Sequence, residues 1–310
     1  MEVRNIIFVL LLGASSLVLA EDLTKAMMYL SEFGYLPPSV RNPSFDQLLS
    51  QEALTDAIKE FQSFTGLNVT GKLDDETKHT MNMPRCGVED KSFRTKTRSK
   101  RYARYGTKWS NKDLTYKISK YPSRLSRSQT DSELKKAFRV WSDVTPLTFK
   151  QRSSGPVTIE IRFEKGRHGH GNPFDGPGKV LAHASFPSAE DSFVHFDDSE
   201  HWTVDSYRGT NLFQVAVHEF GHSLGLSHSE KKSAVMYPTH RYKPNFKLDD
   251  DDIAGIQSLY GKRRKPAPKK PAQPPKAPGD RNCKEETVEK VINNVRFTVK
   301  TKKCSWSYFL

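Results

Sequence analysis

His218-Glu-Phe-Gly-His222-Ser-Leu-Gly225-Leu-Ser-His228 is the stretch from which the rest of this chain is read. His218 and His222 are four residues apart, so on a helix they share one face, one turn apart, and two imidazoles can reach one metal ion. Glu219 follows the first of them, placed to take a proton from water activated at that metal. Gly225 predicts a helix end that needs positive φ, after which the chain turns back and presents His228 as a third ligand. Three protein ligands with a fourth position open is the arrangement of a catalytic zinc rather than a structural one. The alternative is three ordinary histidines on a core-facing helix. It would require five fixed positions to coincide within eleven residues, in a chain with only ten histidines.

The N-terminus has the layout of a secretory signal: Arg4, an apolar centre over Ile6 to Leu12, and small residues in Val18-Leu-Ala20, with a cut after Ala20. The run is too short for a membrane anchor, and no other stretch is apolar enough to span a bilayer. The mature protein is therefore expected to be soluble and extracellular, where disulfides persist and Asn68-Val-Thr70 is a glycosylation acceptor. Of three cysteines, Cys283 and Cys304 close a short C-terminal loop and are the natural pair, which leaves Cys86 with a separate role. Residues 262–310 hold 14 basic and 4 acidic side chains, so most of the net +13 belongs to the tail and not to the central domain. No nucleic-acid partner is expected.

Composition and periodicity divide the chain further. After the signal (1–20), residues 21–101 form a small helical segment, in which Leu54, Ala57, Ile58, Phe61 and Phe64 recur at helical spacing and Gly66 breaks the helix. It ends in a polar, basic run closing on Arg98-Ser-Lys100-Arg101, which fits the R-x-K-R pattern cut by furin-like processing proteases; a solvated linker is the plainer reading. Residues 102–261 suffice for one domain with a proper core. They contain strands over 114–118, 157–163 and 192–196, an amphipathic helix over 132–144 with Leu134, Ala137, Phe138 and Trp141 on one face, the His218 helix and a closing helix over 250–260. Residues 262–281 are a Pro/Lys-rich extended linker. In 282–310 Val295, Phe297 and Val299 alternate with Arg296, Thr298 and Lys300, as in a disulfide-closed hairpin.

From Ala53 to Gly261 the chain resembles a matrix metalloproteinase, a matrixin of the metzincin clan. Phe61-Gln62 with Thr70-Gly-Lys-Leu-Asp74 is similar to the family's prodomain, Pro84-Arg-Cys86-Gly-Val88 to its cysteine switch, and Tyr102, Tyr105-Gly106 and Lys108-Trp109 to the start of its mature catalytic domain. Ser233-Ala-Val-Met236-Tyr-Pro238 is similar to the Met-turn, and the segment from Asp251 to Gly261 to the closing helix. The resemblance implies an α+β fold, a twisted mixed sheet with long helices and a zinc cleft, preceded by the small helical prodomain. It implies a zinc endopeptidase in which His218, His222 and His228 hold zinc and Glu219 serves as general base, then acid. Ala182 would offer its backbone oxygen to the tetrahedral intermediate. Met236 would pack under the metal without ligating it. Tyr237 and Pro238 would line the pocket for the residue after the cut, with Gln214 influencing its depth. Cys86 would latch the fourth zinc position until cleavage after Arg101, when the ammonium of Tyr102 could pair with Asp251 or Asp252. Tissue inhibitors of metalloproteinases are implied as partners, alongside extracellular protein substrates and a furin-like activator.

The chain departs from the family in three places. The family's structural zinc uses three His and one Asp; the matching positions are His168, His170, His183 and His195, with His170 in place of Asp. Imidazoles suit zinc, although loop histidines on a Gly-rich surface are the plainer reading. Asp175, Gly176, Gly178, Asp197 and Glu200 match a calcium site of hard oxygen donors, whereas 187–192 lacks the Gly-rich loop of a further one. The 49 residues after Gly261 cannot build the propeller many relatives carry. The expectation is that the basic tail binds heparan sulfate or other matrix polyanions, against a plain solvated tail. Two other classes of function compete with the protease: a catalytically silent binding protein, and a matrix-anchoring protein in which the tail dominates.

Overall fold

In a computed structural model, residues 20–41, 49–91, 107–187, 192–263, 283–292 and 295–304 are described. Most of the signal-like segment, Arg98, Lys100, Arg101, Tyr102 and most of the Pro/Lys-rich linker lie outside them. The chain divides into two units, one up to Arg263 and one from Arg264.

The first unit begins with three helices, 20–32 (α1), Gln51–Phe64 (α2) and Asp75–Met81 (α3). Ser50 caps α2 by accepting from Ala53 N at 3.1 Å. The face read from the sequence is the buried one, with Leu54, Ala57, Ile58, Phe61 and Phe64 packed against Leu30, Phe33, Tyr35 and Leu36. Buried Gln62 ties α2 to the α3 approach: its Oε1 accepts from the amides of Thr70 and Gly71, and its Nε2 donates to Thr77 Oγ1.

The sheet is built from Asp113–Lys120 (β2) and Ile159–Glu164 (β4), where buried side chains alternate, from the almost wholly buried Val180–Ala184 (β5) and Phe193–Asp197 (β6), and from the exposed Thr148–Gln151 (β3). A two-residue strand, Arg85–Cys86 (β1), comes from the helical segment and completes it. The order is β1-β5-β6-β4-β2-β3; only β5 and β6 pair antiparallel, so the sheet is mixed. Short strands Trp202–Thr203 (β7) and Thr210–Asn211 (β8) pair parallel ahead of the metal-site helix. Helix Arg127–Val144 (α4) begins in a capping box of Ser126 and Gln129. It packs Phe138 flat on Phe220 of helix Leu212–Ser223 (α5), ring centroids 3.7 Å apart. Trp141, fully buried, donates from Nε1 to Val217 O at 3.0 Å. Burying such a side chain contributes roughly 1.5–3 kcal/mol. These contacts fix α5, the helix that carries the histidines, against the core. Helix Asp250–Tyr260 (α6) closes the unit.

The second unit is a hairpin of Cys283–Ile292 (β9) and Val295–Cys304 (β10), with Cys304 opposite Cys283 in the register. Phe297, Val299 and Val288 share one face and are exposed. No helix among the described residues is long and apolar enough to cross a membrane.

Candidate active site

Helix α5 starts where Asn211 accepts from Gln214 N at 3.0 Å, and it runs through His218, Glu219 and His222. It stops at Gly225, whose φ is +103°, and a β-carbon there would lie 2.3 Å from the carbonyl oxygen of Thr107. Glycine is thus required twice over, by dihedral and by space. Beyond it the chain delivers His228, and Cys86 arrives from β1. Ligand atoms of Cys86, His218, His222 and His228 all lie within 4.8 Å of one another, and all four residues are buried.

Each imidazole is oriented through Nδ1. His218 bonds to Val235 O, His222 to Leu226 O and His228 to Asp90 Oδ1, each at 2.7 Å. The Nε2 lone pairs therefore face inward. Those of His218 and His222 are 3.1 Å apart, and His228 Nε2 is buried with no hydrogen-bond partner. Burial keeps His218 and His222 neutral, well below the usual imidazole range. Both Glu219 oxygens are buried without a hydrogen bond, and burial pushes its pKa up to about 8. Burial, with Glu219 beside it, likewise raises the Cys86 thiol. Inward-facing neutral nitrogens and a buried carboxyl group without partners are costly unless a cation engages them. Three imidazoles and a thiol are the donor set that suits zinc, and a bound cation would favour the thiolate.

The surroundings place the other expected residues. Met236 is buried under α5 against Gly221. Its amide and that of Val235 donate to the Asp252 carboxylate at 3.1 and 2.8 Å, so α6 holds the turn beneath the histidines. A cavity of about 350 Å³ opens beside His218, lined by Gln214, Val215, Tyr237, Pro238 and Lys243 together with Leu67, His79 and Met83 from the helical segment. Two of these lining residues are tied together: Gln214 Nε2 donates to Lys243 O at 2.7 Å and its Oε1 accepts from Lys243 N at 2.9 Å. The β1 segment lies along β5, with Arg85 N donating to Lys179 O, Gly87 N to Ala182 O and Cys86 N to Pro238 O. The Ala182 oxygen expected to face the reaction is therefore bonded to the segment that carries Cys86.

Two residues to which the sequence assigned no role of their own, Asp90 and Arg85 of the Cys86 segment, turn out to be central. Asp90 accepts from His228, from Arg85 Nη2 at 2.6 Å and from Tyr35 OH at 2.9 Å. Burial opposes its ionisation, but Arg85 and His228 outweigh that and hold its pKa at about 2. Arg85 is itself buried, its guanidinium 3.4 Å from the Phe33 ring centroid. Opposite charges on either side of Cys86 were visible in the sequence. Their burial was not, because it depends on the fold.

Of the four histidines expected to hold a structural zinc, the structure gathers His168, His183 and His195. His168 Nε2 and His183 Nε2 are 2.9 Å apart, and His195 Nε2 is buried without a partner. Burial and the neighbouring imidazoles hold His183 at about 3 and His195 at about 2. His170 differs from the expectation: its exposed ring stacks on Phe193 at 4.6 Å and does not join the cluster. It sits between Gly169 and Gly171, both at positive φ, and its ring also stacks on His195 with centroids 5.5 Å apart without adding a nitrogen to the donor group. In the expected calcium region, Asp197 Oδ2 is buried without a partner. Burial raises Asp197 and Glu200, and Asp175 adds to both. Carboxylates crowded in this way suit a divalent cation. Gly178 N donates to Glu200 Oε1, and Gly176 stands in the same loop at positive φ. Asn68 is exposed between α2 and α3.

Residues 108–261 match the family model described as Matrixin, and residues 20–81 match that of a peptidoglycan binding domain. The chain belongs to the matrixin family. The four gathered donors thus lie on a matrixin domain, and the Cys86 strand follows the helical prodomain. The matrixin chain is 42% identical to matrix metalloproteinase-16 of Homo sapiens over 260 residues, covering 79% of this chain and 42% of that protein. It is 46% identical to interstitial collagenase of Bos taurus over 214 residues (69% and 44%) and 46% identical to the hatching enzyme of Paracentrotus lividus over 237 residues (75% and 38%). The chain spans less than half the length of these relatives.

Proposed function

We propose that this chain is a secreted zinc endopeptidase acting on proteins of the extracellular matrix and made as a precursor latched by Cys86. The observation that carries the reading is the inward convergence of Cys86, His218, His222 and His228 beside the unpartnered carboxylate of Glu219. His218, His222 and His228 would hold zinc, which would supply Lewis acidity toward the scissile carbonyl and the attacking water. Glu219, adjacent to the first ligand, takes the proton from that water and passes it to the leaving amine. The β5 edge, with Ala182 O, holds the substrate backbone once the β1 segment has left. Tyr237, Pro238 and Gln214 receive the side chain that follows the cut.

In the precursor Cys86 would hold the same ion as His218, His222 and His228, as a thiolate, and would keep water from it. A furin-like cut after Arg101, within Arg98-Ser-Lys100-Arg101, releases Cys86. The new ammonium of Tyr102 then pairs with Asp251 and not Asp252, because both Asp252 oxygens already accept the amides of Val235, Met236 and Asp249. A second zinc on His168, His183 and His195 and a calcium on the Asp175, Asp197 and Glu200 loop are structural. A Cys283–Cys304 disulfide closes the hairpin. The isolated hairpin is marginal in water, and the register supports that pairing. Tissue inhibitors of metalloproteinases, and matrix polyanions such as heparan sulfate on the basic tail, are the proposed partners.

The test is peptide turnover by purified precursor before and after cleavage at Arg101, with zinc measured in both. Turnover that appears on cleavage, disappears with a chelator and returns with zinc supports the reading. Zinc present with no turnover on a broad peptide library overturns it in favour of a silent binding protein.

A further inference from the structure

The three imidazoles of the donor cluster are not anchored alike. His218 and His222 are held by the carbonyls of Val235 and Leu226, both part of the same domain as the rings. His228 is held by Asp90, which lies N-terminal to Arg101 in the segment that processing would remove. The Asp90 carboxylate is buried and fully engaged, Oδ1 by His228 and Arg85, Oδ2 by Tyr35. Four residues before it in the same segment, Cys86 contributes its sulfur to the ligand cluster. One short stretch of chain therefore grips the centre twice, in front by Cys86 and behind by Asp90.

We propose that Asp90 is a positioning residue of the precursor's metal centre, a carboxylate lent to His228 by the removable segment, so that activation strips the third ligand of its anchor as well as freeing Cys86. The inference rests on the latched-zinc reading above. A carboxylate on Nδ1 fixes the tautomer that leaves Nε2 as the ligand atom, orients the ring and makes it a better donor. Removal of such a partner typically costs about 10–100-fold in metal affinity. The precursor should therefore hold zinc more tightly than the cleaved enzyme by more than the loss of the thiolate explains. The competing view is that Asp90 merely neutralises Arg85 and braces the loop.

The two views separate in the full precursor on a Cys86→Ser background, which removes the thiolate contribution. The readout is the rate of zinc transfer to a chromogenic chelator, compared with and without Asp90→Ala or Arg85→Met. Asp90→Ala should speed zinc loss by about 10–100-fold, while Arg85→Met, which leaves Asp90 free to hold His228, should change it only a few-fold. A proton NMR signal from the His228 Nδ1–H, shifted downfield by the carboxylate, should persist in Arg85→Met and vanish in Asp90→Ala and after cleavage. If Asp90→Ala does not fold, Asp90→Asn, of equal volume, carries the same comparison with a smaller effect. Equal rates for the Asp90 and Arg85 variants, or an unchanged rate for the Asp90 variants, overturn the inference. A wild-type precursor that binds no zinc instead overturns the underlying reading of the centre.

Discussion

The sulfur of Met236 lies 2.3 Å from the point where a β-carbon on Gly221 would stand, and Trp141 Cζ2 lies 3.1 Å from it. Gly221 is therefore the gap in α5 through which the turn beneath the histidines approaches, one residue from His222. Gly221→Ala must push Met236 or Trp141 aside. Overpacking of this kind costs about 1–3 kcal/mol, and the shift should be transmitted to His222. Urea unfolding of the metal-free and zinc-loaded protein should show the loss in both, with weaker zinc binding. A variant as stable as wild type and with unchanged zinc affinity would refute the packing account.

Glu219 has no hydrogen-bond partner in the catalytic domain, and only the Cys86 thiol of the removable segment stands beside it. Glu219→Gln should therefore leave zinc content and thermal stability nearly unchanged while lowering turnover of the cleaved enzyme by about 10²–10⁴-fold. Turnover within ten-fold of wild type would remove Glu219 as the base.

What could be read from sequence was whatever is local. The ligand spacing in α5, the buried face of α4 with Leu134, Ala137, Phe138 and Trp141, and the hairpin alternation around Phe297 each depend on a period of a few residues. What could not be read is long-range. Asp90 and His228 are 138 residues apart, and nothing in either neighbourhood announces the other. The pairing of β1 with β5 joins a two-residue strand with no periodicity of its own to a strand about a hundred positions on. Nor does the spacing of His168 and His170 tell that the first joins His183 and His195 in the donor group while the second stacks on Phe193 and His195.

His170 stacks on His195 without joining the donor group of His168, His183 and His195, a difference that metal counting can check. His183→Ala should lower zinc by one per chain, because His183 Nε2 lies between His168 Nε2 at 2.9 Å and His195 Nδ1 at 3.4 Å. His170→Ala should leave the count unchanged. Loss of a zinc from the His170 variant would mean that the ring swings in to ligate.

Gln214 ties the cavity wall together with two hydrogen bonds to the backbone of Lys243. Gln214→Ala removes both, which costs about 1 kcal/mol each, and loosens the cavity wall formed by the 240–246 segment. The cleaved variant should accept longer side chains after the cut. Its ratio of kcat/KM for long over short residues should rise by roughly 10-fold, the scale of one or two methylenes in a pocket. An unchanged ratio in paired peptide assays would assign pocket depth to other residues.

Asp249 caps α6 and carries a pH signature. Burial opposes its ionisation, but the Asp251 amide, Lys231 at 2.6 Å and Ser233 at 2.7 Å outweigh it and hold its pKa at about 2, below the ordinary 3.8. A carboxyl lowered on folding contributes stability that is fully present above its unfolded value and is lost as pH falls through its folded value. Asp249→Asn keeps a good helix cap while deleting the charge, so it isolates that contribution. The Tm of wild type should exceed that of the variant at neutral pH, and the gap should close between about pH 4 and about pH 2. Zinc loss at low pH lowers both Tm values alike, so the difference remains the informative quantity. A gap that stays constant or widens on acidification would show that the Asp249 charge is not what stabilises the start of α6, and the cap alone would then hold it.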